Sequence, residues 1–471
     1  MSWIDTRRAA LLSCGCAWLL SACTLGPDYQ RVTVATPGVY KEAGDWQPAQ
    51  TNAVPSGEWW RAYGDATLDA LVDKVAVNNQ NLAAAEASYR AATAAVQSAR
   101  AAQRPSVTTD VQLTRSRGAQ NSGNAVTAGA GSSASTLARL AGAVGWEIDL
   151  WGRVRRSVEQ ARANAAASEA DLAALELTLR GTLVSTYLAL RVAEAERRLL
   201  DNNVTALRRA LDITRNRYRA GVAARLDVSQ AQTQLATTTA QAVDVGVRRA
   251  TLEHALANLV GVAPADLELA AGTTLPALPA VAATLPSTLL ERRPDIAAAE
   301  RRVAAANASI GIAEAAWFPV LSLGGSAGFQ HSNLIDVVSL PYHFWSVGPA
   351  LAATLFDGGL RKGQKAQAVA IFEQTVAQYR QTVLDGFQEV EDQLATLRIL
   401  AEEADVQDSA ARSAAESQVL AENQYKAGTV SYLNVVTAQT SALNAARSAL
   451  DIQGRRLAAS VALYQALGGA L

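Results

Sequence analysis

From Leu140 to Leu150 the even positions are Leu140, Gly142, Val144, Trp146, Ile148 and Leu150, and the odd ones are Ala141, Ala143, Gly145, Glu147 and Asp149. An alternation with a period of two puts a greasy face opposite a small, acidic one and predicts a strand. In "FWSVGPALAATLF", Trp345, Val347, Leu351, Ala353 and Leu355 alternate with Ser346, Gly348, Ala350, Ala352 and Thr354. "VLSLGGSAGFQ" repeats the pattern, and "SVTTDVQLTRS" does so more weakly. Strands of about ten residues, apolar on one side, with aromatics toward their ends, suit a transmembrane barrel. A half-buried sheet under a helix layer alternates in the same way.

Elsewhere the period lengthens. Proline is absent between Pro105 and Pro264 and again after Pro349, and the segments 153–216 and 361–424 are rich in Ala, Leu, Gln, Glu and Arg. These are strong helix formers, and at ~1.5 Å per residue each segment makes roughly 96 Å of helix. Leu172, Leu175, Leu179, Leu183, Tyr187 and Leu190 advance by threes and fours, an apolar stripe slightly longer in period than a heptad. A soluble coiled-coil rod shares these features.

The chain also says one thing twice. "RYRAGVAARLDV" at 217–228 returns as "QYKAGTVSYLNV" at 424–435, and a single offset carries Gly221 onto Gly428, Leu226 onto Leu433 and Gly261 onto Gly468. Upstream, "AAAE" at 83–86 returns at 297–300. Repetition on this scale predicts one architecture built twice. The first repeat spans 68–261, with strands at 106–117 and 138–150, the long helix at 153–216 and a returning helix at 226–260. A Pro-rich linker covers 262–284. The second repeat spans 285–471, with strands at 319–330 and 344–356, the long helix at 361–424 and a returning helix at 431–467. Glycine just past a helix end tolerates a left-handed backbone, so Gly221 and Gly428 are expected to stop the long helices. Ser431 is able to cap the returning helix, whereas its counterpart Ala224 is not.

Charge removes some functions. Basic residues number 42 and acidic residues 43, without long runs, which gives no footprint for nucleic acid. His254, His331 and His343 are scattered, with no Cys partner and no metal-ligand spacing, so neither a catalytic site nor a cofactor is expected. All three cysteines, Cys14, Cys16 and Cys23, lie at the start of the chain. There Arg7 and Arg8 precede an apolar run from Ala9 to Leu20, too short for a stable transmembrane helix and built like a secretory signal over 1–22. Leu20-Ser21-Ala22-Cys23 resembles a bacterial lipobox, which implies cleavage before Cys23 and its acylation. The segment 23–67 would then be a lipid-anchored N-terminal stretch, and Thr24, where inner-membrane retention signals place Asp, favours the outer membrane. Each buried methylene contributes about 0.8 kcal/mol, and stable attachment takes more than one chain.

Several further motifs share one resemblance: "GEWWRAYGDATLDALV", "WEIDLWGR", "ERRPDIAAAE", "AAWFPVLSL" and "LFDGG". Together they resemble outer-membrane efflux lipoproteins of the NodT type, relatives of TolC, from Cys23 to about Gly468. The resemblance implies a mostly α fold with a membrane β-barrel. It also implies a homotrimer with four strands per chain in a shared twelve-stranded barrel and long antiparallel helices in a periplasmic α-barrel. It implies an outer-membrane exit duct of a tripartite efflux pump of the proton-driven RND type, working with a periplasmic adaptor and an inner-membrane pump. Tyr218, Gly221, Tyr425 and Gly428 match the tips that face the adaptor. Asp227 matches a residue that ties neighbouring helices shut at the periplasmic constriction. Asn434 and Thr437 stand where relatives often carry an acidic ring, a departure that weakens the expectation of a cation-sensitive gate. A polypeptide secretion conduit and a non-transporting, lipid-anchored coiled-coil scaffold remain open on the sequence.

Overall fold

The structure, a computed structural model, describes residues 24–43, 57–117, 134–272, 274–279, 292–333 and 335–469. The expected signal 1–22, Cys23 and part of the expected linker lie outside them. Among the described residues the order is α1 (Ala66–Asn78), α2 (Gln80–Ala101), β1 (Ser106–Ser116), β2 (Ser135–Ile148), α3 (Arg153–Arg219), α4 (Arg225–Val260), α5 (Pro294–Ala315), β3 (Val320–His331), β4 (His343–Ala352), α6 (Leu360–Ala427) and α7 (Tyr432–Ala466). No described helix is long and apolar enough to cross a membrane. The chain divides into two compact units. One contains residues up to Val32, Tyr89–Ser168 and Ala299–Tyr379; the other contains Thr33–Ser88, Glu169–Ala298 and Arg380 onward.

The first unit holds an antiparallel sheet in the order β1-β2-β3-β4, with β1 and β4 at its edges. Directly opposed residues share a face. Val107 opposes Val144 and Val111 opposes Leu140, Leu140 opposes Phe329 and Trp146 opposes Leu323, and Leu321 opposes Leu351. The register therefore gathers most of the large apolar side chains of the four strands on one face, with Leu137, Val320 and Phe344 on the other. Ser106, Thr108, Asp110, Ala143, Ser322, Ser326, Ser346 and Ala350 share the other. A slip of one residue on any strand would mix the two faces.

Strand ends depart from the periodicity. β4 stops at Ala352 rather than 356 because its partner residue is Val320, the first of β3, which follows Pro319. β2 ends at Ile148 rather than 150; Ile148 is the last to pair with β3, and the Leu150 N–H turns back to the Ile148 carbonyl at 2.8 Å. β2 also begins earlier, at Ser135, where it still pairs with Ser116.

Both strand-to-helix joints use the same device. Asp149 accepts the backbone N–H groups of Val154 and Arg155 at 3.1 and 2.8 Å, and Arg155 donates back to it and to the Leu150 carbonyl. Asp357 accepts from the Gly359 and Arg361 N–H groups, while Arg361 donates to it at 2.5 Å and to the Thr354 carbonyl at 2.8 Å. A carboxylate at a helix start satisfies orphan donors and complements the dipole. The "DLWGRVR" and "FDGGLR" segments thus carry a capped corner in each repeat.

The second unit is helical. Leu183, Tyr187 and Leu190 of the α3 stripe are wholly buried. Trp59 stacks on Tyr464 with ring centroids 5.1 Å apart, and the Tyr63 hydroxyl meets Ser460 Oγ at 2.7 Å. The buried Arg191 donates to the Tyr187 hydroxyl, to Glu194 at 2.8 Å and to the Ala270 carbonyl at 3.0 Å, so its charge is paired as burial requires.

Candidate functional site

The two helix-to-helix turns of the second unit are built on one plan. α3 continues to Arg219 and α6 to Ala427, three residues beyond each expected end. Gly221 follows with φ 76° and Gly428 with φ 80°. The Gly221 N–H bonds the Tyr218 carbonyl at 2.9 Å and the Val222 N–H bonds the Arg217 carbonyl at 2.9 Å. At the second turn, Gly428 bonds Tyr425 and Thr429 bonds Gln424, each at 3.0 Å. This pair of bonds is the Schellman closure, and its left-handed residue favours glycine.

The start of each returning helix differs from the expectation. Ser431 makes no side-chain cap hydrogen bond. Its extended backbone begins α7 one residue later than expected, and its hydroxyl is not used. At the first turn Asp227 Oδ2 accepts the Ala224 N–H at 3.3 Å, the reciprocal half of a capping box made by the third helical residue without a side-chain acceptor at Ala224. Asp227 therefore caps its own helix. Asn434 and Thr437 are exposed on α7, and the Thr437 hydroxyl donates to the Leu433 carbonyl at 3.0 Å.

Tyr218 and Tyr425 part company. Tyr218 is 41 % exposed, whereas Tyr425 is 7 % exposed and packs with Leu211, Val228, Ala231, Tyr432 and Val435. Its ring meets Tyr432 edge-on at 5.2 Å, and the Arg217 guanidinium lies 4.9 Å from its centroid. Arg217 then donates to the Lys426 carbonyl at 2.9 Å, tying the first turn to the second. Burial pushes the Tyr432 hydroxyl up to about 12, so it stays protonated at neutral pH. Tyr218, Gly221 and Gly428 are placed at the surface; Tyr425 is placed in the core beneath it. The tie made by Arg217 escaped the sequence because the repeat puts Gln424 at its counterpart, which gave no signal for a cross-link.

Cys23 lies outside the described residues, but the stretch just after it is clamped within the first unit. The Leu25 N–H bonds the Trp151 carbonyl at 3.2 Å. Arg156, nearly buried, donates to the Leu25 and Gly26 carbonyls at 3.0 Å each and to Asp28 at 2.9 Å. Asn307 Nδ2 donates to the Pro27 carbonyl at 2.8 Å. Gly26 has φ 88°, and a Cβ there would meet Gly311 Cα at 2.4 Å. The segment is thus seated on α3 and α5. Beside it, Trp151 packs against Phe318 with centroids 4.9 Å apart and planes tilted by 32°.

The sheet supplies the other candidate surface. Its apolar face is open to the surroundings, with Trp345 70 % and Val347 69 % exposed. On the opposite face Ser326 and Ser346 hydroxyls bond at 2.9 Å. Both edge strands leave backbone groups without a neighbour in the sheet.

The family model described as outer membrane efflux protein matches residues 71–262 and 285–469. The pyoverdine export outer membrane protein OpmQ of Pseudomonas putida is 31% identical over 442 residues, 93% of each chain. The probable efflux pump outer membrane protein TtgC of Pseudomonas putida is 30% identical over 456 residues, covering 96% of this chain and 94% of that one. The solved outer-membrane channel OprN is 31% identical, with a TM-score of 0.88 over 95% of this chain and 99% of that chain.

Proposed function

The chain belongs to the outer membrane efflux protein family and has its TolC-like fold, and from that premise we propose that it is the outer-membrane exit duct of a tripartite efflux pump. The observation that carries this reading is the sheet. Four strands with one apolar face and two unpaired edges cannot stand alone in hydrocarbon, where each unsatisfied backbone group costs several kcal/mol. Closure by three copies removes every edge and makes a twelve-stranded barrel, apolar outside and lined inside by the face that carries the Ser and small residues together with Asp110, Gln112, Arg139 and Gln330. Eight strands from a dimer would be filled by their own side chains; twelve leave a lumen.

In this reading the long helices continue the passage into the periplasm, and the turns at Gly221 and Gly428 meet a periplasmic adaptor. Tyr218 is available to that contact, while Tyr425 shapes the surface from below. Asp227, Asn434 and Thr437 belong to the constricted end. A multiply acylated Cys23 anchors the chain, with the clamped Leu25–Asp28 stretch leading from the lipid. The duct carries out no chemistry and holds no cofactor; an inner-membrane pump of the RND type selects and energises the cargo. Relatives named for pyoverdine export and efflux pumps support small solutes as cargo.

Purified protein in a planar bilayer is expected to give discrete channels, and an unboiled gel sample to migrate as a trimer that boiling converts to monomer. A boiling-independent monomer with no conductance would leave the scaffold reading. Radiolabelled palmitate is expected in the native chain and absent from Cys23→Ser.

A further inference from the structure

We propose that Arg139 is a selectivity-determining residue of the conduit, a cation on the polar face of the sheet that favours anionic solutes carrying carboxylate or phosphate groups as they leave. The inference rests on the duct reading above. It starts from position: Arg139 of β2 opposes Gln112 of β1 and Gln330 of β3, all on the face opposite Leu140 and Phe329. Among the described residues it is the one cation on that face of the strands.

The side chain is held rather than free. Its guanidinium carbon lies 5.1 Å from the centroid of Phe344. Phe344 belongs to β4, with β3 between it and Arg139, and opposes Gly328, which has no side chain on the shared face. An arginine lying on an aromatic ring keeps the edge of its fork for a planar anion.

Its charge is also uncommitted. Arg139 makes no ion pair with any described residue, and its Nε is buried without a hydrogen-bond partner. The two carboxylates of the face do not neutralise it directly. Glu147 is engaged by Arg153 through bonds of 3.0 and 2.6 Å. Asp110 opposes Ala141, two residues along β2 toward the helix end of the sheet, and is exposed. A solute leaving from the helix end passes the level of Asp110 and then that of Arg139. In a closed trimer three arginines stand at one level, close to the loop end of the strands.

The test reads local electrostatics without needing an open gate. Gln330→Cys places a thiol directly opposite Arg139, and it is modified from outside by anionic sulfonatoethyl or cationic trimethylammonioethyl methanethiosulfonate, with the unsubstituted protein as background. Adding Arg139→Gln is expected to lower the anionic-to-cationic rate ratio by about threefold or more, the scale of unit charges acting across less than a Debye length. Arg139→Lys, which keeps the charge, is expected to retain most of the ratio. An unchanged ratio in the Arg139→Gln background, with the trimer intact on an unboiled gel, overturns the assignment. Failure of both reagents to reach Gln330→Cys means that this face holds no water, which removes the duct reading and this inference with it.

Discussion

Tyr218 and Tyr425 hold the same place in two copies of one turn, yet only Tyr425 is enclosed, between Tyr432 and the guanidinium of Arg217. The difference sets opposite expectations for one substitution. Tyr425→Ala removes a buried aromatic from the cluster and is expected to cost about 3 kcal/mol, a loss of the order seen for large aromatic truncations. Tyr218→Ala is expected to change stability by no more than ~0.5 kcal/mol. Thermal denaturation of the two purified variants checks both. The glycines separate in a similar way. A Cβ at Gly261 would lie 2.2 Å from the Asn78 carbonyl oxygen, while one at Gly221 meets nothing within 4 Å. The cost at Gly221 and Gly428 is therefore backbone strain alone, roughly 1–3 kcal/mol for a β-branched residue. The double variant Gly221→Val, Gly428→Val is expected to reach the outer membrane as a trimer and to lose crosslinking to the adaptor. Full crosslinking would take these turns out of the docking surface, and a missing trimer would assign them to folding.

At the scale of elements, the sheet and its joints carry separate predictions. Neighbours Ser346 and Val347 point to opposite faces of β4. Val347→Lys puts a charge toward lipid at about 2–4 kcal/mol near the bilayer midplane, whereas Ser346→Lys faces water. The first is expected to deplete the heat-modifiable trimer from outer-membrane fractions, and the second to leave it in place. At the second joint, the Arg361 hydrogen bond, with backbone donation from Gly359, holds the Asp357 carboxyl below its ordinary 3.8. A depressed folded pKa means that the stabilisation is complete above that ordinary value and is lost as pH falls through the lower, folded one. The thermal midpoint of the native protein should decline in that acid range. Asp357→Asn should flatten the decline, and equal acid slopes in the two proteins would assign it to other groups.

For the whole molecule, the proposed placement of the uncharged Asn434 and Thr437 at the constriction sets an expectation for ions. Three copies would present amides and hydroxyls in place of a carboxylate ring, so millimolar divalent cations are expected to leave single-channel conductance unchanged. Asn434→Asp should introduce a block by those cations that high monovalent salt relieves. Cation block in the native protein would point instead to Asp227 as an exposed part of the constriction.

How far each feature was legible follows the range of the interaction behind it. The two long helices, the alternating strands and the paired turns could be read directly, because helix propensity, a period of two and the left-handed demand at Gly221 and Gly428 depend on a few consecutive residues. The sheet faces were legible too, since every strand carried its own alternation; the register had only to agree with it. Strand ends were not, because β4 ends where β3 offers no further partner rather than where its own pattern fades. Tertiary structure alone decided that Asp227 caps its helix while Ser431 does not, that Arg217 crosses between turns, and that Arg139 lies against Phe344 of β4. A duplicated sequence writes the same local conformation twice. Burial and pairing depend on which side chains another segment brings near, and there the two copies differ.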